Sequence, residues 1–529
     1  MLKSSGALAA ATLTSRVLGL VRETVYAAFM GTGWIADAFM FAFAIPNLFR
    51  RLLGEGALTA AFIPIFKEKE KLEGETPMWK AANAVVCALV LGASAIILVG
   101  TVAVLVLLHS GFVHSGKTLL MLELLVRMLP YVLLVCLAAV LMGMLNSRGH
   151  FFIPAVGATM LNVVLIASVL WLAPHLGQSL DRQVYALAYG VVAAGIIQAI
   201  FQVPLLYKDG FRFRWVTPFS DPTVRRVVRQ MLPATIGVAA YQLNITFTQG
   251  LAFWVDQGVV SSFQYAVRLM ELPQGVFGLS LATYLLPTLS GLAAEKKYPE
   301  FRSTLGQGLG YLVFINLLAS VLLLVMAEPI IRLLFERRAF DAASTHSAAL
   351  ALACLAPGLV AYSVVNILAR GFYALSDTTT PMKVSIFCLT LNALLTLALV
   401  WHYKQGGLGM ANSFSAIVNM SLLFLALRKK LGKFELAELK QHLLSLAGAG
   451  VVAGAVAWGL VHLWSEHLGH RTLPLRMGEV FLPMAAASLI YFGIAKWLKV
   501  PFINDLTALL PRRFRKTGTP PPPPPDGSS

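Results

Sequence analysis

Residues 81–108 read AANAVVCALVLGASAIILVGTVAVLVLL, a run without a single Asp, Glu, Lys or Arg. A helix needs about 20 apolar residues to cross the hydrocarbon of a bilayer, where every backbone polar group must be satisfied internally. Outward from this run the pattern repeats along the chain. Candidate spans lie at 5–28, 34–60, 81–108, 119–145, 153–173, 184–206, 230–253, 259–289, 304–326, 346–369, 382–401, 407–427, 442–464 and 479–498, fourteen in all. Composition agrees: 57% of the 529 residues are hydrophobic, 13% are charged, and the mean hydropathy is +0.74. Soluble domains carry about 25% charged residues, so this chain cannot cover soluble domains with a charged surface. A soluble enzyme, a secreted disulfide scaffold and a disordered protein are excluded. The expected class is an all-α polytopic membrane protein. Cys87, Cys136, Cys354 and Cys388 all sit inside apolar runs, as packing residues and not as a disulfide framework or metal site.

The start of the chain imitates a signal peptide, with Lys3 followed by apolar residues. Arg16, Arg22 and Glu23 interrupt that run and no Ala-x-Ala site closes it, so a retained helix is expected. Orientation follows from the basic residues. With the N-terminus on the cytoplasmic side, 28 of the 42 Lys and Arg fall in cytoplasmic segments and 8 in the opposite loops. Both termini are expected inside. The net charge of +17 is then mostly a topology signal and needs no nucleic acid to explain it. The remaining 6 basic residues lie within spans, and all are arginines: Arg16, Arg22, Arg50, Arg51, Arg127 and Arg268. A guanidinium keeps its charge and presents a planar donor fork that suits phosphate oxygens.

A weak internal repeat is visible. Pro130, Arg148-Gly149, Pro154 and Asn162 recur in order as Pro357, Arg370-Gly371, Pro381 and Asn392. Two six-helix lobes in parallel repeat are expected, 1–215 and 216–430, related by an axis along the membrane normal. Two further helices follow in 431–500, then a basic, proline-rich cytoplasmic tail, 501–529, that carries six consecutive prolines. The second and eighth spans hold breakers, Pro46, Gly54 and Gly56, then Pro273, Gly275 and Gly278. Broken membrane helices occur where they line a cavity.

One motif misleads. Gly111-Phe-Val-His-Ser-Gly116-Lys117-Thr118 fits the phosphate-loop pattern, but it joins two spans instead of a strand and a helix. No metalloprotease, redox or nucleophile-elbow pattern occurs, so an enzyme is not expected, nor a cofactor. The polar residues inside the spans say more. Arg16 sits near the middle of the first span, where a lone charge costs at least about 2.5–3.5 kcal/mol. Arg16 and Glu23 are two turns apart on one face while Arg22 points elsewhere, and a break at Gly19 would re-aim either group. Asp37 opens the second span, Arg50-Arg51 lie toward its end with Glu55 one turn on, and Arg268 with Glu271 falls mid-way in the eighth. Arg127, one turn from Glu123, reads as a local pair. The others imply a central cationic cavity whose natural ligand is an anion bearing more than one phosphate.

Ser15-Arg16-Val-Leu-Gly19-Leu-Val-Arg22-Glu23, Asp37-Ala-Phe, and Pro46-Asn47-Leu-Phe-Arg50-Arg51-Leu-Leu-Gly-Glu55-Gly56-Ala resemble the MurJ/MviN family, as does Arg268-Leu-Met-Glu271-Leu-Pro273. The similarity covers essentially the whole chain except the proline tail. It implies an inner-membrane flippase for lipid II, the undecaprenyl-pyrophosphate-linked peptidoglycan precursor. It also implies the multidrug/oligosaccharidyl-lipid/polysaccharide exporter fold, two lobes facing a V-shaped cavity. On this resemblance the substrate-binding arginines are Arg16, Arg22, Arg50 and Arg268 and the cavity acids Asp37 and Glu271; Arg51 and Glu55, one turn apart, are expected beside them as cavity or gating residues. The partners expected are lipid II and membrane lipids, with the protein a monomer. Some members carry a lysine where this chain has Ala44 and an acid where it has Val267. Sodium coupling, suggested for some relatives, would favour carboxylates in the seventh, eleventh and twelfth spans, which here offer Gln242, Asn244, Asn392 and Asn412 instead. Two alternatives remain at this stage: a flippase for another polyprenyl-linked glycan, and a drug or cation antiporter, which would want acids in its cavity.

The basic bias makes a direct forecast. In a cysteine-free background, single cysteines at Thr32 and Gly469 should react with an impermeant thiol reagent added to intact cells, and cysteines at Gly74 and Leu431 should not. Labelling at Gly74 would reverse the orientation.

Overall fold

The computed structural model describes residues 2–52, 59–218, 221–432, 436–498 and 500. Glu55, Gly54 and Gly56, and the tail from residue 501, lie outside them. Among the described residues the chain is helical, with no β-strand. Eight helices are long and apolar enough to cross a membrane, or ten if two bent pairs each count as one span. Fourteen is not reached on this measure, in part because Thr379–Leu431 joins two expected spans across a break at Lys404 (φ 48°) and counts once.

Helices also extend past the expected spans, because a hydropathy window trims polar turns that stand outside the hydrocarbon. The segment expected as a loop after the second span is helix from Thr59 to Glu73, and the third span already starts at Glu75. The seventh begins at Pro222, where proline at the first helical position needs no N–H partner and Asp221 caps the end by accepting from the Thr223 N–H at 2.7 Å. The short helix Ala327–Phe335 after the ninth span, Tyr298–Val325, was not anticipated either.

Two sharp bends were not anticipated. The fourth span is Gly116–Met128 plus Tyr131–Ser147, bent 41° beside Pro130, and the tenth is Ala342–Leu355 plus Gly358–Ala374, bent 45° beside Pro357. These prolines are the first of the internal repeat in each half. A π-helical stretch follows Pro273 over Gln274–Leu279, and residues 50–52 are π-helical beyond Pro46. The first helix, Leu2–Met30, runs through Gly19 without a break.

Three buried apolar clusters explain how the bundle encloses space. One holds residues from both halves of the chain, among them Phe39, Leu187, Tyr265, Phe335 and Leu352, and continues to Tyr491. A second holds early residues, including Phe62, Trp79, Met144 and Phe211, with Val227 besides, and a third only later ones, including Leu285, Phe301, Phe372 and Leu427. The second and third lie toward the end that carries most of the lysines and arginines, here the basic end. So the halves share one core at the far end and hold separate cores at the basic end. Val227, at the start of the seventh span, packs in the early cluster, and Arg226 donates twice to Glu68 at 2.8 Å. The first turns of that helix therefore belong with the early half in packing.

Helices approach closely at small residues, as in membrane bundles generally. A Cβ on Gly409 would stand 2.6 Å from Cys354 Cβ and 3.0 Å from the Ala351 carbonyl, whereas one on Gly459 would meet nothing within 4 Å. Gly409→Val should therefore cost about 1–3 kcal/mol through overpacking, seen as a lower melting temperature of the purified protein, and Gly459→Val should be near neutral. Equal melting temperatures for the two variants would contradict this packing.

Candidate functional site

Between the two basic-end cores lies a cavity of about 920 Å³. Its walls come from the first, second, seventh, eighth, tenth, eleventh and twelfth expected spans, and they reach from Tyr26 and Phe39 at the shared core to Tyr373 and Thr378 near the basic end. Among the described residues the charged ones in the wall are Arg22, Glu23, Arg51, Arg268 and Glu271, three guanidiniums against two carboxylates.

These charges form one chain of contacts. Arg22 donates to Asn162 Oδ1 at 3.0 Å and to Glu23, and its guanidinium lies 5.5 Å from the Tyr26 ring centre. Glu23 in turn faces Arg268 Nε at 3.4 Å, across the two halves of the protein. Arg268 Nη1 donates to Glu271 at 2.8 Å, one turn further along the same helix. Arg22 and Glu23 side chains are 11% and 7% exposed but Arg268 is 37% exposed, so the last of these can meet a ligand without unfolding anything. Arg51 donates to Gln242 Oε1 of the seventh span at 3.0 Å.

Other expected site residues lie elsewhere. Arg16 is half-buried and not in the cavity wall; its guanidinium occupies the space where a Cβ of Gly275 would be, 2.1 Å from Nη1. The glycine in the π-helical stretch is thus what admits that arginine. Arg50 donates to Asn47 Oδ1 at 2.8 Å and is also outside the wall. The expectation that Arg22 turns away from Glu23 is overturned, since the two are bonded neighbours and both face the cavity. Arg127 is the local pair expected, 3.7 Å from Glu123 and 4.5 Å from the Tyr185 ring centre, while Tyr185 donates to Glu123. Ala44 and Val267, where some relatives carry charge, both line the cavity.

Asp37 is not a cavity acid. It is fully buried at the far end, where its carboxylate accepts from the Gly258 N–H at 2.7 Å and from the Ser261 N–H and Oγ at 2.8 Å. It thereby caps the eighth span, which starts at Val259, with negative charge at the positive end of the helix. Lys117 Nζ donates to Asp37 at 3.0 Å and to the carbonyls of Phe253 and Asp256 at 2.8 and 2.9 Å, positive charge at the end of the seventh span. Both charges come from the early half and both helix ends from the later half, so the pair ties the halves together. Lys404, 2.6 Å from Asp256, holds that loop carboxyl below its ordinary range by hydrogen bonding to it. The lysine of the false phosphate loop therefore has a place after all, as half of a lock. Glu23 is the other residue that sequence reasoning left out of the site. Its signal was present, an acid beside an arginine inside a span, but its bond to Arg268 depends on a helix 245 positions away in the chain.

Lobes that share a core at one end and part around a charged cavity at the other define a class of membrane transporter. Solved structures agree: the fold matches a lipid II flippase MurJ in an inward closed conformation with a TM-score of 0.76 at 21% identity, covering 94% of this chain and 99% of that one. An inward-facing multidrug resistance MATE transporter of the MOP superfamily matches with a TM-score of 0.64 at 14% identity, covering 80% and 96%. The sequence then gives the particular family. The family model of the lipid II flippase MurJ matches residues 26–478, and the chain belongs to the MurJ family. It is 33% identical to the probable lipid II flippase MurJ of Vibrio cholerae, over 94% of this chain and 95% of that protein. It is 34% identical to the lipid II flippase MurJ of Burkholderia cenocepacia, over 91% and 94%.

The buried contacts around Glu23 should behave as a unit. Arg22→Met leaves Glu23 short of its nearest partner and should cost about 3 kcal/mol, as removal of one member of a buried ion pair does. Adding Glu23→Gln should recover most of that loss in thermal unfolding of the purified protein. Additive losses in the double variant would show that the two charges are independent.

Proposed function

We propose that the chain is a lipid II flippase of the bacterial inner membrane, working by alternating access without catalysis, with its basic end and both termini in the cytoplasm. The observation that carries this reading is the cavity wall. Arg22, Arg51 and Arg268 face one space between the halves, and the carboxylates there are outnumbered. A drug or cation antiporter would need the opposite balance. The curated relatives named above supply the substrate class; the phosphate-binding chemistry of the wall is consistent with it.

The proposed lobes are residues 1–215 and 216–430, with 431–500 as two additional helices. In the arrangement described here the far end is closed by Asp37, Lys117 and the shared core. A pyrophosphate entering from the basic end meets Arg268 first among the exchangeable guanidiniums, because that side chain is partly exposed. Its oxygens take over the donors now held by Glu23 and Glu271, with bidentate geometry that favours arginine over lysine. Arg16, without a hydrogen-bond or ion-pair partner among the described residues, is the additional cation when the eighth helix shifts. Loss of the Glu23–Arg268 contact removes one tie between the halves, which gives the ligand the differential affinity for two states that transport requires. The polyprenyl chain stays in lipid throughout. Membrane potential can drive the cycle, since a charge moved across 100 mV is worth about 2.3 kcal/mol.

Cells depleted of their own flippase, carrying variants of this protein and scored for lipid II translocation, test the reading. Arg268→Ala and Arg16→Ala should each cut translocation by roughly tenfold or more, the loss expected when hydrogen bonds to a charged group worth about 1.5–3 kcal/mol disappear. Membrane protein level should be retained, Arg268→Lys should rescue only in part, and Arg127→Ala should be nearly silent. Full translocation by both alanine variants would remove the arginines from the mechanism.

A further inference from the structure

In the cavity wall the seventh, eleventh and twelfth spans carry amides instead of charges. Gln249 of the seventh span, Asn392 of the eleventh and Asn412 and Asn419 of the twelfth all line it. Asn412 is satisfied: its Nδ2 donates to the Leu408 carbonyl at 2.8 Å and its Oδ1 accepts from the Tyr362 hydroxyl at 3.0 Å. Gln249 Oε1, Asn392 Nδ2 and Asn419 Oδ1 are buried and have no hydrogen-bond partner among the described residues. Buried amides are normally satisfied, most of all in a bilayer where water is scarce, so three orphans on one wall call for a missing partner. The internal repeat sharpens the point. Asn162, the counterpart of Asn392 in the early half, accepts from Arg22 at 3.0 Å and donates to the Ser15 carbonyl at 3.3 Å. The same residue type in the second half is left with an idle donor.

The chemistry of the orphans selects the partner. A metal cation prefers carboxylates, and the seventh, eleventh and twelfth spans put none into the wall. An anion favours positive charge as well as donors, and these three spans bring no cation into the wall. Each amide carries a donor and an acceptor on one group and can present either by turning over. Mixed donors and acceptors match a neutral ligand whose groups do both, namely the hydroxyls and acetamido groups of an amino sugar. The position fits as well. Gln242 holds Arg51 at 3.0 Å, and Gln249 lies seven residues on, two turns and about 10 Å along the same face of the helix. A sugar joined to a pyrophosphate held by the arginines extends along that direction.

We infer that this amide wall is the subsite for the acetamido sugar next to the pyrophosphate, and that it, not the arginines, separates the glycosylated lipid from the bare polyprenyl pyrophosphate. The inference rests on the lipid-linked reading above. The test is binding of lipid II and of undecaprenyl pyrophosphate to the full-length protein in lipid nanodiscs, by native mass spectrometry. The wild type should prefer lipid II by tenfold or more. Gln249→Met, Asn392→Leu and Asn419→Leu, near in shape to the originals, should together bring lipid II down to the level of the bare carrier and leave the carrier's binding unchanged. Arg268→Ala should weaken both lipids alike. If the triple variant fails to fold, each single change should still narrow the ratio between the two lipids. A wild type that binds both lipids equally, or variants that keep the preference, would overturn the sugar subsite alone. A wild type that binds neither would remove the flippase reading and the subsite with it.

Discussion

A charged arginine in the middle of a bilayer is costly unless it has water or a partner, and this protein supplies partners that a ligand can replace. Glu23 is the centre of that arrangement. Buried against Arg22 on its own helix, it also reaches Arg268 on the other side of the cavity. The pairing keeps the guanidiniums ordered and aimed at one space while no anion is present. It also makes the contact between halves depend on what the cavity holds. Fixed neutralisation would have wasted the charge; Arg332, locked between Glu328 and the buried Glu479, shows what such a structural pair looks like in the same molecule.

The two ends of the bundle use charge differently. At the far end Asp37 and Lys117 match the dipoles of two helix ends and are enclosed by protein, a static use of electrostatics that holds the halves together. At the cavity the partners are carboxylates with room beside them. Apolar packing follows the same division, with one core common to both halves at the closed end and a separate core on each side of the cavity. A transporter needs this asymmetry, one end tied and the other parted, and the roles of the ends must exchange during the cycle.

Much of the fold was legible in the sequence because hydropathy and proline placement act locally. The run at 81–108 and the helix irregularities beyond Pro46 and Pro273 needed no knowledge of tertiary contacts. The site was legible in residue type and only partly in position. Arginines inside spans announced a cavity, and Arg22 and Arg268 are in its wall, but Asp37 and Arg16 are not, since which way a side chain faces depends on helices far away in the chain. Lys117 was hidden for a different reason: a short motif gave it a familiar but wrong context, and its carboxylate partner lies 80 positions away. Helix ends were misplaced wherever polar turns continue a helix beyond the hydrocarbon, as at Thr59–Glu73.

If Glu23 is a placeholder for phosphate, its removal must help the ligand that competes with it. The most direct measurement is the affinity of purified Glu23→Gln for undecaprenyl pyrophosphate, compared with the wild type and Arg268→Ala. Exchange of carboxylate for phosphate on Arg268 predicts tighter binding in Glu23→Gln and weaker binding in Arg268→Ala. Weaker binding in both variants would show that the pair serves only to hold the helices together, and would contradict the account.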